Sequence, residues 1–223
     1  MSNLDTIDHM IDRLGTDLKP VRRLRPPGVR ALLWLAGVAA LAGVLASFAD
    51  LPAIAHRLMG APDMWLAVLG STLTAILGAA AVFHLSVPGR SPWWALLPVP
   101  SLLLWVGASG MGCLRTWLVP GTHDASMGEV RICLVFIVAV SIPLSALMVV
   151  MIRRACPLRP NLTAATGGLA IAAGAASLLN FFHPYDASAT DLAVHLLAVA
   201  IVVFLNQLVA RWALAHRRRP FSV

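Results

Sequence analysis

The chain of 223 residues is 59% hydrophobic and only 12% charged, with a formal net charge of +7 and a pI near 10.9. A soluble domain is about half apolar and about a quarter charged, so this composition excludes an ordinary globular core and indicates that a lipid bilayer surrounds much of the chain. A net positive charge also fits nucleic-acid binding, but in membrane proteins it more often comes from basic residues that anchor the cytoplasmic loops. The positions of the arginines decide between these two interpretations.

Six apolar runs, each near the length that crosses a bilayer, follow one another along the chain. They cover residues 31–49, 64–87, 92–111, 132–152, 163–182 and about 189–210. The third run is the least regular, because Pro98 and Pro100 remove backbone hydrogen bonds and are expected to kink a helix. The sequence therefore predicts an all-α fold, a six-helix transmembrane bundle.

The 17 lysine and arginine residues divide unevenly between the two sides of such a bundle. One side receives only Arg57, Arg115 and Arg131. Because positive residues accumulate on the cytoplasmic side, the remaining basic residues predict a cytoplasmic N-terminus and a cytoplasmic C-terminus. We expect residues 1–28 to form a cytoplasmic helix and linker, residues 29–213 the six-span membrane domain, and residues 214–223 a basic cytoplasmic tail. No short apolar run with a cleavage site precedes the basic residues, so we do not expect a signal peptide.

The N-terminal segment carries an apolar stripe at helical spacing. Its members are Leu4, Ile7, Ile11, Leu14 and Leu18. The stripe fits a helix that lies on anionic lipid, and it also fits a helix that docks into the groove of a partner protein. Its flanks are mostly acidic, and a negatively charged leaflet repels an acidic face. The sequence therefore favours a short amphipathic cytoplasmic helix that binds a protein, with the lipid-surface alternative still open.

The residues with the most distinctive chemistry collect on the opposite side of the predicted bundle. They are Cys113, Cys133, His183, Asp186, Asp191 and His195. Thiolates, imidazoles and carboxylates together form a mixed ligand set for a d-block metal. No C-x-x-C or H-E-x-x-H spacing accompanies them. Two alternatives stay open: a disulfide between the two cysteines in an oxidising outer compartment, and a simple hydrogen bond between Asp191 and His195 one helical turn apart.

The sequence shows no nucleophile–base pair and no phosphate-binding glycine loop, so we do not expect an enzyme. A small membrane transporter or a metal-binding membrane protein is the alternative function. A transporter would need polar residues along a path, and the middle of the predicted spans is apolar apart from His195. A membrane thiol oxidoreductase would normally carry a vicinal cysteine pair, which is not evident here.

Several segments, taken in order, resemble the NrsF-type membrane anti-sigma factors, the negative regulators of certain extracytoplasmic-function (ECF) sigma factors in bacteria. The segments are LKPVRRLRPPGVRALLWL, VPGR, GCL at 112–114, Cys133, RRACPLRP and HPYDASATDLAVH. Each motif alone is weak, whereas the ordered set covers nearly the whole chain and is fairly specific.

The resemblance implies a multi-pass protein of the bacterial inner membrane that holds an ECF sigma factor inactive at the cytoplasmic face. Cys113 and Cys133 would be the sensor thiols for metal or oxidative stress, with His183 and His195 as candidate co-ligands that Asp186 and Asp191 orient. The expected partners are the sigma factor and the lipid bilayer, with no direct contact to nucleic acid. No resident cofactor is assigned; a transition or heavy-metal ion would act as a stimulus.

Overall fold

The structure is a computed structural model. It describes residues 3–16, 23–50, 52, 54–55, 62–118, 127–153, 155, 157–179, 197, 200–201, 203–205 and 207–208. Throughout this described part the regular elements are helices and no strand occurs, which confirms the all-α fold.

Most of the regular structure in the described ranges belongs to six long helices and one short helix. The long helices are α1 Asn3–Thr16, α2 Pro27–Ala46, α3 Pro62–Leu85, α4 Val99–Leu118, α5 Met127–Ile152 and α6 Pro160–Leu179. Among the described residues, five segments are long and apolar enough to cross a membrane, and they correspond to the first five predicted spans. The sixth predicted span, 189–210, lies largely outside the described residues, and the positions described within it are helical.

The third span shows how prolines shape this bundle. The sequence predicts a kinked helix there, and the structure instead divides the span into a 3-10 helix, Pro92–Leu96, and the α-helix that begins at Val99. Pro98 and Pro100 therefore flank the first residue of α4. Proline is tolerated there, because a backbone N–H at the start of a helix makes no hydrogen bond within the helix. Ser91 caps the 3-10 helix by accepting a hydrogen bond from the N–H of Trp93 at 3.3 Å.

The centre of the bundle is the close pair of α3 and α6, which α4, α5 and α2 surround. Most of α6 is buried. Its small residues permit this, since a methyl group added at Gly78 of α3 would lie 3.0 Å from the Cβ of Ala170. Gly168 lies similarly close to Val203, so the helical residues described in the sixth span also pack against α6. The glycine- and alanine-rich fifth span is thus a packing helix, as its composition predicts.

The two ends of the bundle differ in chemistry. We call the end where α2 begins and where α3 and α5 finish the basic end. The arginines described near it are Arg23, Arg25, Arg30, Arg90, Arg153 and Arg159. The other end, where α4 finishes and α5 begins, is called the cysteine end because Cys113 and Cys133 lie in those helix termini.

Candidate functional site

At the cysteine end, Cys133 lies in the second turn of α5 and faces inward. Its side chain is 7% exposed and is a free thiol. Residues three or four positions apart continue the same buried face along α5, and they are Cys133, Ile137, Val140, Leu144 and Met148. Because such residues share one side of a helix, the thiol stands at the head of the face by which α5 packs into the core.

Cys113, the other predicted sensor, belongs to α4, and the structure describes its backbone but not its side chain. The predicted spans 92–111 and 132–152 leave residues 112–131 between them, but α4 continues to Leu118 and α5 already begins at Met127. The helices therefore extend into the stretch that the predicted spans leave as a connection. The two helices also rest on different neighbours, α4 on α3 and α5 on α6 and α2, and their described residues share little contact with each other.

The remaining predicted ligands, His183, Asp186, Asp191 and His195, lie outside the described residues. Within the described ranges, no three histidine, cysteine or acidic side chains come together as a metal site would require. The metal site therefore stays a prediction, and so does the assignment of both cysteines as sensors.

Two local features destabilise the middle of α5. Pro143 lies inside the helix and removes the hydrogen bond that its N–H would have donated, which permits a bend. Two residues before it, the Oγ of Ser141 is buried and has no hydrogen-bond partner in the described part of the chain. An unsatisfied buried hydroxyl costs about 1–3 kcal/mol, so α5 is less stable here than an uninterrupted apolar helix would be.

Directly after this weak point, α5 is bound to α2. Trp34 of α2 is fully buried, and its indole Nε1–H donates to the backbone oxygen of Leu144 at 3.2 Å. A methyl group added at Gly37, one turn further along α2, would collide with the side chain of Leu147. The half of α5 that follows Pro143 is therefore packed closely against α2.

Arg30 completes this contact at the basic end and is 4% exposed. Its Nη1 donates to the Oγ of Ser86 at 3.1 Å, and its Nη2 donates to the carbonyl oxygen of Met151 at 2.9 Å. The guanidinium also stacks over the ring of Phe83, with 4.9 Å from Cζ to the centroid. Met151 lies in the last turn of α5, where carbonyls lack helical partners and a cation suits the helix dipole. Arg30 therefore ties the start of α2 to the ends of α3 and α5.

Sequence reasoning missed this role and counted Arg30 among the anchoring charges. A signal was available, because Arg30 follows Pro27 by three residues and so lies within the first turn of the apolar helix. A charged group inside such a run needs partners from neighbouring helices.

The predicted partner-binding stripe lies on α1, which is helical as expected. Its side chains Ile7 and Ile11 are 52% and 59% exposed, and Met10 beside them is equally exposed. Leu4 and Leu14 belong to the described helix backbone only, and Leu18 lies outside the described residues. The described apolar side chains of α1 are thus available to another molecule.

The family comparison covers most of the chain. A family model described as NrsF, negative regulator of sigma F, matches residues 14–216, so it includes all five described spans but begins after Ile7 and Ile11 of α1. No curated protein and no solved structure matches the chain. The extent of the match shows that this chain belongs to the NrsF family of negative regulators of sigma F, an anti-sigma rather than an enzyme family.

Proposed function

We propose that the chain is an inner-membrane anti-sigma factor that holds an ECF sigma factor inactive at the cytoplasmic face. The apolar stripe of α1 binds the sigma factor. Metal or oxidative stress acts at the cysteine end, which faces the periplasm, through Cys113 and Cys133 with His183 and His195 as further ligands. The single observation that carries this proposal is the family match over residues 14–216.

The exposed side chains of α1 support the choice of binding element. Ile7, Met10 and Ile11 leave an exposed apolar surface on the helix that precedes α2 in the chain. Arginines accumulate on the cytoplasmic side of membrane proteins, so the basic end and α1 would face the sigma factor. A helix with one apolar face commonly binds by placing that face in a groove of its partner.

The packing of α5 supports a route between the two ends. The thiol of Cys133 is buried, so a metal with its further ligands, or a second thiol, reaches it only if the first half of α5 is displaced. Beyond Pro143, α5 is held to α2 through Trp34 and Arg30. The chain that precedes α2 leads to α1, and a shift of α2 therefore changes where α1 is presented.

The binding role of α1 is tested by replacing both Ile7 and Ile11 with Asp in the full chain. Removing one apolar side chain from a groove costs about 1–2 kcal/mol, so we expect the sigma factor to bind at least about tenfold more weakly and its regulon to rise without a stimulus. The measurement is recovery of the sigma factor with affinity-purified membranes, identified by mass spectrometry.

A matched control introduces the same charges on the opposite face of α1. His9→Asp with Thr16→Asp changes two exposed residues half a turn away from the stripe. This control should retain the sigma factor. Equal retention by both double variants, at equal protein levels, would remove α1 from the proposal.

The sensor role is tested with Cys113→Ser and Cys133→Ser. The control is Cys156→Ser, which changes the third cysteine of the chain, on the cytoplasmic side in the predicted topology. We expect the first two variants to accumulate in the membrane and to lose stimulus-dependent release of the sigma factor, while the control behaves as the parent. A purely structural disulfide would instead lower protein levels and leave the response intact. Normal accumulation together with a parental response to metals and oxidants would refute the assignment.

A further inference from the structure

A cleft of about 750 Å³ opens at the basic end, between the segment that precedes α2 and the end of α5. Four arginines line it: Arg23 and Arg25 from the segment, Arg30 from α2, and Arg153 just after α5. Arg30 forms part of the cleft wall and is fixed by its hydrogen bonds to Ser86 and Met151. The other three arginines are exposed and are free to turn toward a ligand.

The charge of this cleft is unbalanced. None of the described residues that line it is acidic, and Arg23, Arg25 and Arg153 form no ion pair with any side chain in the described ranges. Like charges that share a cleft repel one another and concentrate a positive potential there. A bound anion would lower this repulsion, so the cleft favours a negatively charged ligand.

The rest of the lining is apolar. Leu33 of α2 and Val150 of α5 are 43% and 55% exposed, and both lie on spanning helices next to the arginines. On such helices, exposed apolar side chains face lipid chains. The cleft therefore combines a cationic rim with an apolar wall that continues into the membrane.

We propose that this cleft binds an anionic phospholipid, with the phosphate among Arg23, Arg25 and Arg153 and an acyl chain along Leu33 and Val150. Basic pockets between spanning helices, at the level of the headgroups, suit this ligand. A soluble acidic peptide would match the arginines but would leave the lipid-facing wall uncovered. The bound lipid holds the segment before α2 against the end of α5, independently of any sigma factor.

The test uses the purified full chain in a neutral detergent and native mass spectrometry. Phosphatidylglycerol and phosphatidylcholine with identical acyl chains are titrated separately, and we expect the anionic lipid to bind at least about tenfold more tightly. Replacing both Arg23 and Arg25 with Gln should weaken phosphatidylglycerol binding about thirtyfold. This factor combines the usual contribution of two arginines near a headgroup with a change of about tenfold in affinity for every 1.4 kcal/mol.

The control is Arg90→Gln with Arg159→Gln, which removes the same charge from exposed positions near the same end but outside the cleft. It should change the affinity by no more than about twofold. Equal loss in both double variants would mean general attraction to charge and would overturn the site. Inorganic phosphate that binds as tightly as phosphatidylglycerol, or a decaglutamate peptide that binds more tightly with the same variant dependence, would overturn the lipid assignment.

Discussion

Replacing Arg30 with Met should loosen the basic end of the bundle. Met fills similar space but donates neither hydrogen bond, and a bond from a charged donor contributes about 1.5–3 kcal/mol. Ser86 keeps its own hydrogen bond to the carbonyl oxygen of Phe83 at 2.7 Å, so the unsatisfied group that remains is the carbonyl of Met151. Because the variant also avoids burying a charge, part of the loss is offset. We expect a net loss of about 3 kcal/mol, on the order of a hundredfold in the folding equilibrium.

The assay is unfolding of the full chain by sodium dodecyl sulfate in mixed micelles, followed by the fluorescence of the seven tryptophans. Arg159→Met is the control, because it removes an exposed arginine of the same end that lies outside the cleft, and it should stay within about 0.5 kcal/mol of the parent. Arg30→Lys keeps the charge but cannot reach two acceptors with a planar fork, so its stability should fall between the other two. Unfolding midpoints that coincide for Arg30→Met and Arg159→Met would refute the contact as a stabilising one.

Two further predictions concern packing and orientation. Gly70→Ala places a methyl group 2.6 Å from the backbone nitrogen of Trp105 in α4 and should lower stability by about 1–3 kcal/mol. Gly107→Ala meets no atom within 4 Å and should raise stability by up to about 1 kcal/mol through helix propensity. Equal unfolding midpoints of the two variants in the same micelle assay would contradict the close crossing of α3 and α4. Reporter fusions after Val223 and within residues 120–128 should report the cytoplasm and the periplasm respectively, and a periplasmic signal from the C-terminal fusion would reverse the proposed orientation.

The spanning helices could be predicted because each needs only a run of apolar residues, which is a local property of the sequence. The start of α4 could not be placed in the same way. Pro98 and Pro100 weaken a continuous helix, but whether the chain kinks or restarts depends on the cap that Ser91 provides and on the stacking of Trp94 on His84, with ring centroids 3.9 Å apart. The latter contact joins two segments of the chain and leaves no periodic trace in the sequence.

Which helices pack against each other could not be predicted from the sequence, for a similar reason. Cys113 and Cys133 are close along the chain, which favours a direct pairing of their helices, yet α4 packs on α3 while α5 packs on α6 and α2. Shape decides this: glycines at 70 and 78 allow α3 to approach α4 and α6 closely, whereas the described residues of α4 and α5 show no comparably close contact between these two helices. Hydrophobicity alone is nearly equal for all these faces, so it carries no information about which pair forms.

The same packing determines where this bundle can yield. The pair of α3 and α6 is locked by backbone-close contacts such as Gly78 against Ala170, where no side chain can adjust. In contrast, α5 contains Pro143 and the unsatisfied hydroxyl of Ser141, and its contact with α2 depends on hydrogen bonds from Trp34 and Arg30. In the function proposed above, a displacement at the cysteine end would therefore pass along α5 to α2, the helix that follows α1 in the chain. The proposal thus keeps the central pair of α3 and α6 fixed and confines the change to α5, α2 and α1.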